Sequence, residues 1–139
     1  MISGEYKHNI DTKNRLILPV KLREALGDNV IMTKSVDRCI ALYPSDSWAV
    51  FTDKINALPE MQLRKIKRYI YSSAVEAEPD SQGRILLPLN LRVFAGIDKN
   101  VTVVGVGDHA EIWDDELWNE EVNSGEGDDI AGQLINLGF

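Results

Sequence analysis

The spacing of apolar and polar positions predicts a single series of short elements that occurs twice along the chain. Residues 5–10 and 74–78 read as opening strands. The polar segments DTKNR (11–15) and DSQGR (80–84) follow as turns, since Asp favours turn starts. Short apolar strands come next, 16–18 and 85–87, each closed by a proline that cannot continue a ladder. A helical turn or two is expected over 20–26, stopped by Gly27. Each half then shows two more strands, 29–33 with 39–43, and 101–106 with 110–113. Each half ends in a helix, with Ser45 and Asp114 as candidate N-caps. Trp48, Phe51 and Ile55 give the first of these helices an apolar face, and Leu117, Trp118 and Val122 do the same for the second. These aromatics read as core or inter-subunit packing rather than a ligand box.

A further helix, opened by Pro59 and running from Glu60 to about Ser72, lies between the halves. Its apolar stripe is Met61, Leu63, Ile66 and Ile70, and Arg64, Lys65, Lys67 and Arg68 crowd its polar side. That basic side is either a solvated face or one paired with acidic groups of a neighbouring chain. Residues 124–139 are acidic, then weakly apolar and interrupted by glycine, as in a flexible tail ending in a short docking segment.

The recurrence extends to residue identities. DTKNRLILP at Asp11 and DSQGRILLP at Asp80 are offset by 69 residues, and the match continues through Leu22/Leu91, Arg23/Arg92 and Gly27/Gly96. After a two-residue insertion, NVIM at Asn29 matches NVTV at Asn100, Leu42-Tyr43 matches Ile112-Trp113, and Trp48 matches Trp118. Such an ordered series marks an internal repeat. The chain divides into repeat 1 (1–52), a connecting helix (53–73), repeat 2 (74–123) and a tail (124–139). Modules this small rarely support a core alone, so the two must pack together or associate between chains. Asn14 and Gly83 occupy the same turn position, and these two residue types tolerate a left-handed backbone best, so a positive φ is expected at both.

The single cysteine, Cys39, excludes an intrachain disulfide and reads as a buried apolar residue. No set of zinc ligands occurs, and neither histidine, His8 nor His109, sits in a nucleophile or metal spacing. Nucleotide-binding and nucleophile-elbow motifs are missing, so neither an enzyme nor a cofactor or small-molecule substrate is expected. Residues 1–10 lack an apolar signal core, and no apolar run approaches the ~18 residues of a membrane span. A reducing cytoplasm is the expected setting.

The net charge of −7 argues against nucleic-acid binding until its distribution is considered. Residues 1–75 hold 12 Lys/Arg against 8 Asp/Glu, whereas residues 76–139 hold 3 against 14. The distinctive feature is the D-x-x-x-R turn, Asp11/Arg15 and Asp80/Arg84. An Arg oriented by an Asp can read a phosphate or a base edge, and it can equally be an ion pair that holds the turn. The flanks separate these readings. Around the first motif lie Lys7, His8, Lys13, Lys21 and Arg23, whereas the aligned positions of the second are Glu76, Ala77, Gln82, Asn90 and Arg92. Phosphate contacts need a basic collar and a structural ion pair does not. The first repeat is therefore the expected DNA reader, with Arg84 and Asp80 as auxiliary or scaffold groups.

The opening GEYKHNIDTKNRLILP, the tandem D-x-x-x-R turns and the segment VGVGDHAEIWDDELW strongly resemble the MraZ family of bacterial proteins, over all but the last residues of the chain. The resemblance implies a mixed β fold with short helices, in which two swapped-hairpin modules of the AbrB/SpoVT type interleave into a pseudo-twofold barrel. It implies ring-shaped homo-oligomers and a transcriptional regulator at the nucleoid. Such a regulator binds repeated double-stranded boxes upstream of its own division and cell-wall gene cluster. The family motif falls on Asp11 and Arg15 and on Asp80 and Arg84. Where the family usually has Gly, this chain has Asn14, which tolerates the same backbone region. An oligomeric protein-interaction scaffold without direct DNA contact is the alternative, suggested by the acidic second half.

Overall fold

The computed structural model describes residues 1–124 and 127–139 and shows a mixed α/β architecture with antiparallel strands. In chain order the elements are β1 (Glu5–Asn9), β2 (Arg15–Ile17), α1 (Val20–Leu26), β3 (Val30–Lys34), β4 (Ile40–Pro44), α2 (Ser45–Asn56) and α3 (Glu60–Tyr71). They continue with β5 (Val75–Ala77), β6 (Arg84–Leu86), α4 (Leu89–Ala95), β7 (Asn100–Gly105), β8 (Ala110–Asp114), α5 (Asp115–Val122) and α6 (Gly127–Asn136).

Six strands form one sheet in the order β1-β7-β8-β4-β3-β5, and β2 pairs with β6 in a separate two-stranded ribbon. The first strand of each half therefore lies against the third strand of the other half, β1 on β7 and β5 on β3. The middle of the sheet is the β4–β8 pair, in register at Ala41 and Glu111. The expected closed barrel is not formed. β1 and β5 are the two edges of the sheet, and the ribbon does not bridge them. The prolines give the reason. Pro19 and Pro88 follow β2 and β6 closely and have no N–H for a ladder, so the ribbon ends after three residues per strand.

The ribbon covers the core instead. Leu16, Leu18, Ile85 and Leu87 are buried together with Leu22 and Leu91 of α1 and α4 and with Ile40, Leu42, Val101, Val103 and Ile112 of the sheet. Removing so many aliphatic side chains from water is the main driving force for joining the halves. A second cluster holds Cys39, Val104 and Trp113 under Leu117 and Trp118 of α5. Cys39 is fully buried as expected, and burial, followed by the nearby Glu111 charge, pushes its thiol up to about 12.

Several boundaries differ from the sequence reading. β2 and β6 begin one residue earlier than expected, which places Arg15 and Arg84 inside the ribbon ladder. Asp114 caps α5 by accepting from the Leu117 N–H at 3.4 Å. Ser45 is not a cap, because Pro44 directly precedes the helix and Ser45 is its first residue. The apolar stripe of α3 is only partly covered: Ile70 is buried, Leu63 and Ile66 are half-buried, and Met61 is exposed. The tail expected over 124–139 lies partly outside the described residues, and its described part from 127 to 136 is helix α6. No helix among the described residues is long and apolar enough to cross a membrane.

Candidate nucleic-acid interface

The two D-x-x-x-R turns share one hydrogen-bond skeleton. In the first, Asp11 Oδ1 accepts the backbone N–H groups of Lys13 (2.9 Å) and Arg15 (2.8 Å). Its other oxygen, Oδ2, accepts Arg15 Nε at 2.8 Å. The loop is closed by Asp11 N–H donating to Arg15 O and Asn14 N–H donating to Asp11 O. In the second, Asp80 Oδ1 accepts Gln82 and Arg84 N–H at 2.9 Å each, and Oδ2 accepts Arg84 Nε at 2.8 Å. Asn14 and Gly83 have φ of 61° and 76°, as the turn position demands.

These bonds have an electrostatic signature. Donation from the Arg15 backbone N–H, then from its guanidinium and the Lys13 N–H, holds the Asp11 carboxyl below its ordinary range despite some desolvation. Asp80 is lowered in the same way, first by the Arg84 backbone N–H. Each Asp stays ionised and fixes its partner guanidinium at Nε alone. Among the described residues the terminal guanidinium nitrogens of Arg15 and Arg84 make no hydrogen bond, so both are available to an outside acceptor. One edge of each guanidinium thus holds its turn, and the terminal nitrogens are left to another partner.

The ribbon register brings the two arginines together. Arg15 pairs with Leu86 and Ile17 with Arg84, while Leu16 and Ile85 between them point into the core. Two cross-repeat bonds lock the turns to the ribbon: Leu18 N–H to Gly83 O (3.0 Å) and Leu87 N–H to Asn14 O (2.9 Å). Arg15 and Arg84 line one open groove of about 550 Å³ with His8, Asp11, Ile17, Gln82 and Lys99.

The remaining basic residues lie elsewhere. Lys7 is on the other face of β1 from His8, with its ammonium held by Asp115 Oδ1 and Thr102 Oγ1 at 2.8 Å each. The Asp115 hydrogen bond raises the Lys7 pKa, against some desolvation. Lys13 is exposed in the first turn and Lys21 is exposed on α1. Arg23 lies across the second turn, so close that a Cβ on Gly83 would come within 2.4 Å of its guanidinium. Among the described residues its buried Nε has no hydrogen-bond partner. Of the basic collar, then, the groove gathers only His8, beside the two motif arginines Arg15 and Arg84. Lys99 was missed by the repeat alignment because it falls at the two-residue insertion and has no counterpart in the first half. Its carbonyl accepts the Ile10 N–H at 2.9 Å, which fastens this segment beside the first turn.

The family model "MraZ protein" matches residues 1–67 and 70–125. The chain belongs to the MraZ family. Relatives carrying the name "Transcriptional regulator MraZ" align over full length. That of Desulfitobacterium hafniense (strain Y51) is 46% identical, with 100% of both chains covered. Those of Syntrophomonas wolfei and Clostridium beijerinckii are each 43% identical, again with 100% of both chains covered. The name these MraZ relatives carry denotes regulation of transcription, which is not an enzymatic activity.

Proposed function

We propose that this protein is a sequence-specific transcriptional regulator that grips double-stranded DNA with the β2–β6 ribbon. The observation that carries the reading is the pair of guanidinium tips, Arg15 and Arg84, each held at Nε by an ionised Asp and aimed into one groove. Arg held on one edge is preorganised to take guanine O6 and N7 or a phosphate with its other edge. A two-stranded ribbon is narrow enough for the major groove, which is about 12 Å wide. His8 and Lys99 add donors along the groove wall, and Lys13 and Lys21 are free to meet flanking phosphates. Arg84 acts beside Arg15 in this reading and not merely as scaffold.

The family membership supports finer expectations: a homo-oligomeric ring, repeated boxes upstream of the protein's own division and cell-wall gene cluster, and a place at the nucleoid. The strand order supports the swapped-hairpin, pseudo-twofold relation of the repeats. Exchanging β1 with β5, β3 with β7 and β4 with β8 returns the same sheet order and the same β2–β6 pair. A ring would repeat one modest groove many times, so a net acidic chain could still bind several boxes tightly through multivalency.

The test is binding to the protein's own upstream promoter across a salt series, with oligomer size checked for each variant. Steeply salt-dependent binding, weakened at least tenfold in Arg15→Ala and by less in Arg84→Ala, is expected. An intact wild-type oligomer without specific binding would favour the interaction-scaffold reading, in which the acidic α5 face with Glu116, Glu120 and Glu121 is the working surface.

A further inference from the structure

The outer face of the ribbon alternates charge with apolar surface. Arg15 stands opposite Leu86, and Ile17 stands opposite Arg84. Ile17 is 49% exposed and Leu86 59% exposed, although their neighbours in the same strands, Leu16 and Ile85, are fully buried. Isolated exposed aliphatic residues are ordinary on protein surfaces. These two are not isolated: they occupy aligned positions of the two repeats, and each sits directly across the ladder from one of the presented arginines.

We propose that Ile17 and Leu86 read the C5-methyl groups of thymines next to the guanines taken by Arg84 and Arg15. The inference rests on the DNA-binding reading above and deepens it by assigning base specificity. The C5-methyl of thymine is the apolar group among the base edges of the major groove, and aliphatic side chains are its natural partners. Geometry fixes the spacing. Directly opposed side chains in a ladder stand about 5 Å apart at Cβ, so each arginine and its apolar partner address adjacent base pairs. The two Arg–apolar pairs are two residues apart along the ribbon, about 7 Å at ~3.4 Å per residue, or about two base steps. Antiparallel pairing reverses the order of the second pair relative to the first. The ribbon therefore reads a guanine beside a thymine at both ends.

The test uses the full chain and the fragment immediately upstream of its own gene, footprinted to find the protected bases. Duplexes of the protected sequence are then made with each thymine replaced singly by uracil, which removes the methyl and leaves the hydrogen-bonding edge unchanged. Wild type should bind about fourfold more weakly for each contacted methyl removed, and only at thymines adjacent to a protected guanine. Ile17→Ala and Leu86→Ala should each abolish the discrimination at one set of positions. Because both side chains are half-exposed, the variants should keep wild-type circular dichroism and oligomer size. Ile17→Val, which retains a shortened apolar side chain, should keep part of the discrimination. Indifference of wild type to every uracil, or full discrimination in Ile17→Ala and Leu86→Ala, would overturn the assignment while leaving the DNA reading intact. Absence of any footprint would overturn both.

Discussion

The two D-x-x-x-R turns have the same backbone and differ in what surrounds it. Every bond from Asp11 to Lys13 and Arg15 has its counterpart from Asp80 to Gln82 and Arg84. Yet Lys13 becomes Gln82, Lys21 becomes Asn90, and Asn14 becomes Gly83. The last difference has a visible consequence. Gly83 leaves room for the Arg23 guanidinium to lie across its turn. Asn14 carries a side chain at that place, and Arg92, the counterpart of Arg23, instead donates Nε to Leu87 O at 2.9 Å. The skeleton that aims an arginine is thus separable from the charges that would draw a polyanion to it. One repeat can lose its basic neighbours and still present its arginine in the shared groove.

The comparison breaks most severely where the turns share a foundation. Leu16 and Ile85 are fully buried opposite each other beneath the ribbon. Leu16→Ala and Ile85→Ala should each destabilise the fold by about 2–5 kcal/mol, through lost transfer energy and the cavity left behind. Urea midpoints should fall by similar amounts for the two, since each residue holds down both turns. A large drop for one alone would mean that the repeats are anchored separately.

A smaller effect should distinguish the turns. Gly83→Ala places a Cβ at φ 76° and against Arg23. The left-handed backbone costs about 1–2 kcal/mol for an ordinary residue. Arg23 can swing away, so Arg23→Ala and Gly83→Ala together should cost less than the sum of the two singly. The aligned change Asn14→Gly should shift thermal stability by only a few tenths of a kcal/mol, because Asn already tolerates the region. Strict additivity of Arg23→Ala and Gly83→Ala would mean that the Arg23 contact has no energetic weight.

Local chemistry was readable in the sequence, and long-range pairing was not. The turns, the positive φ at Asn14 and Gly83, the buried Cys39 and the Asp114 cap follow from residue type and spacing. The β1–β7 and β3–β5 pairings cross between repeats, and nothing in a strand's own residues says which distant strand it will meet. The one-residue shift of β2 and β6 had the largest consequence. Starting the strands at the arginines extends the alternation by one position, so Arg15 and Arg84 join Ile17 and Leu86 on the outer face of the ribbon. Lys7 shows how strand alternation separates sequence neighbours. Proximity to the motif in sequence suggested a shared surface, but strand alternation sends Lys7 to the face of Asp115 and His8 to the groove.

The smallest expected effect is also the most symmetric. Asp11 and Asp80 both titrate below the ordinary value of 3.8, because N–H groups and a guanidinium favour their ionised forms in the folded chain. The unfolded chain therefore binds more protons than the folded one between the lowered values and about pH 4. The stability these carboxylates contribute is complete above that range and is lost as pH falls through their folded values. Asp108, Glu111 and Asp115 are lowered too and add to the acid limb, so the wild-type slope alone cannot be assigned to the turns. Substitution can separate them. Asp11→Asn and Asp80→Asn each keep an acceptor for the backbone N–H groups and remove the charge. Each should flatten the fall of the urea midpoint between pH 5 and the acid limit, by equal amounts, because the two turns make the same bonds. Unequal flattening would show that the basic surroundings of the first turn reach its carboxylate through solvent. In that case the skeleton and its charged flanks would not be independent, and the separation drawn from the two repeats would fail at its simplest point.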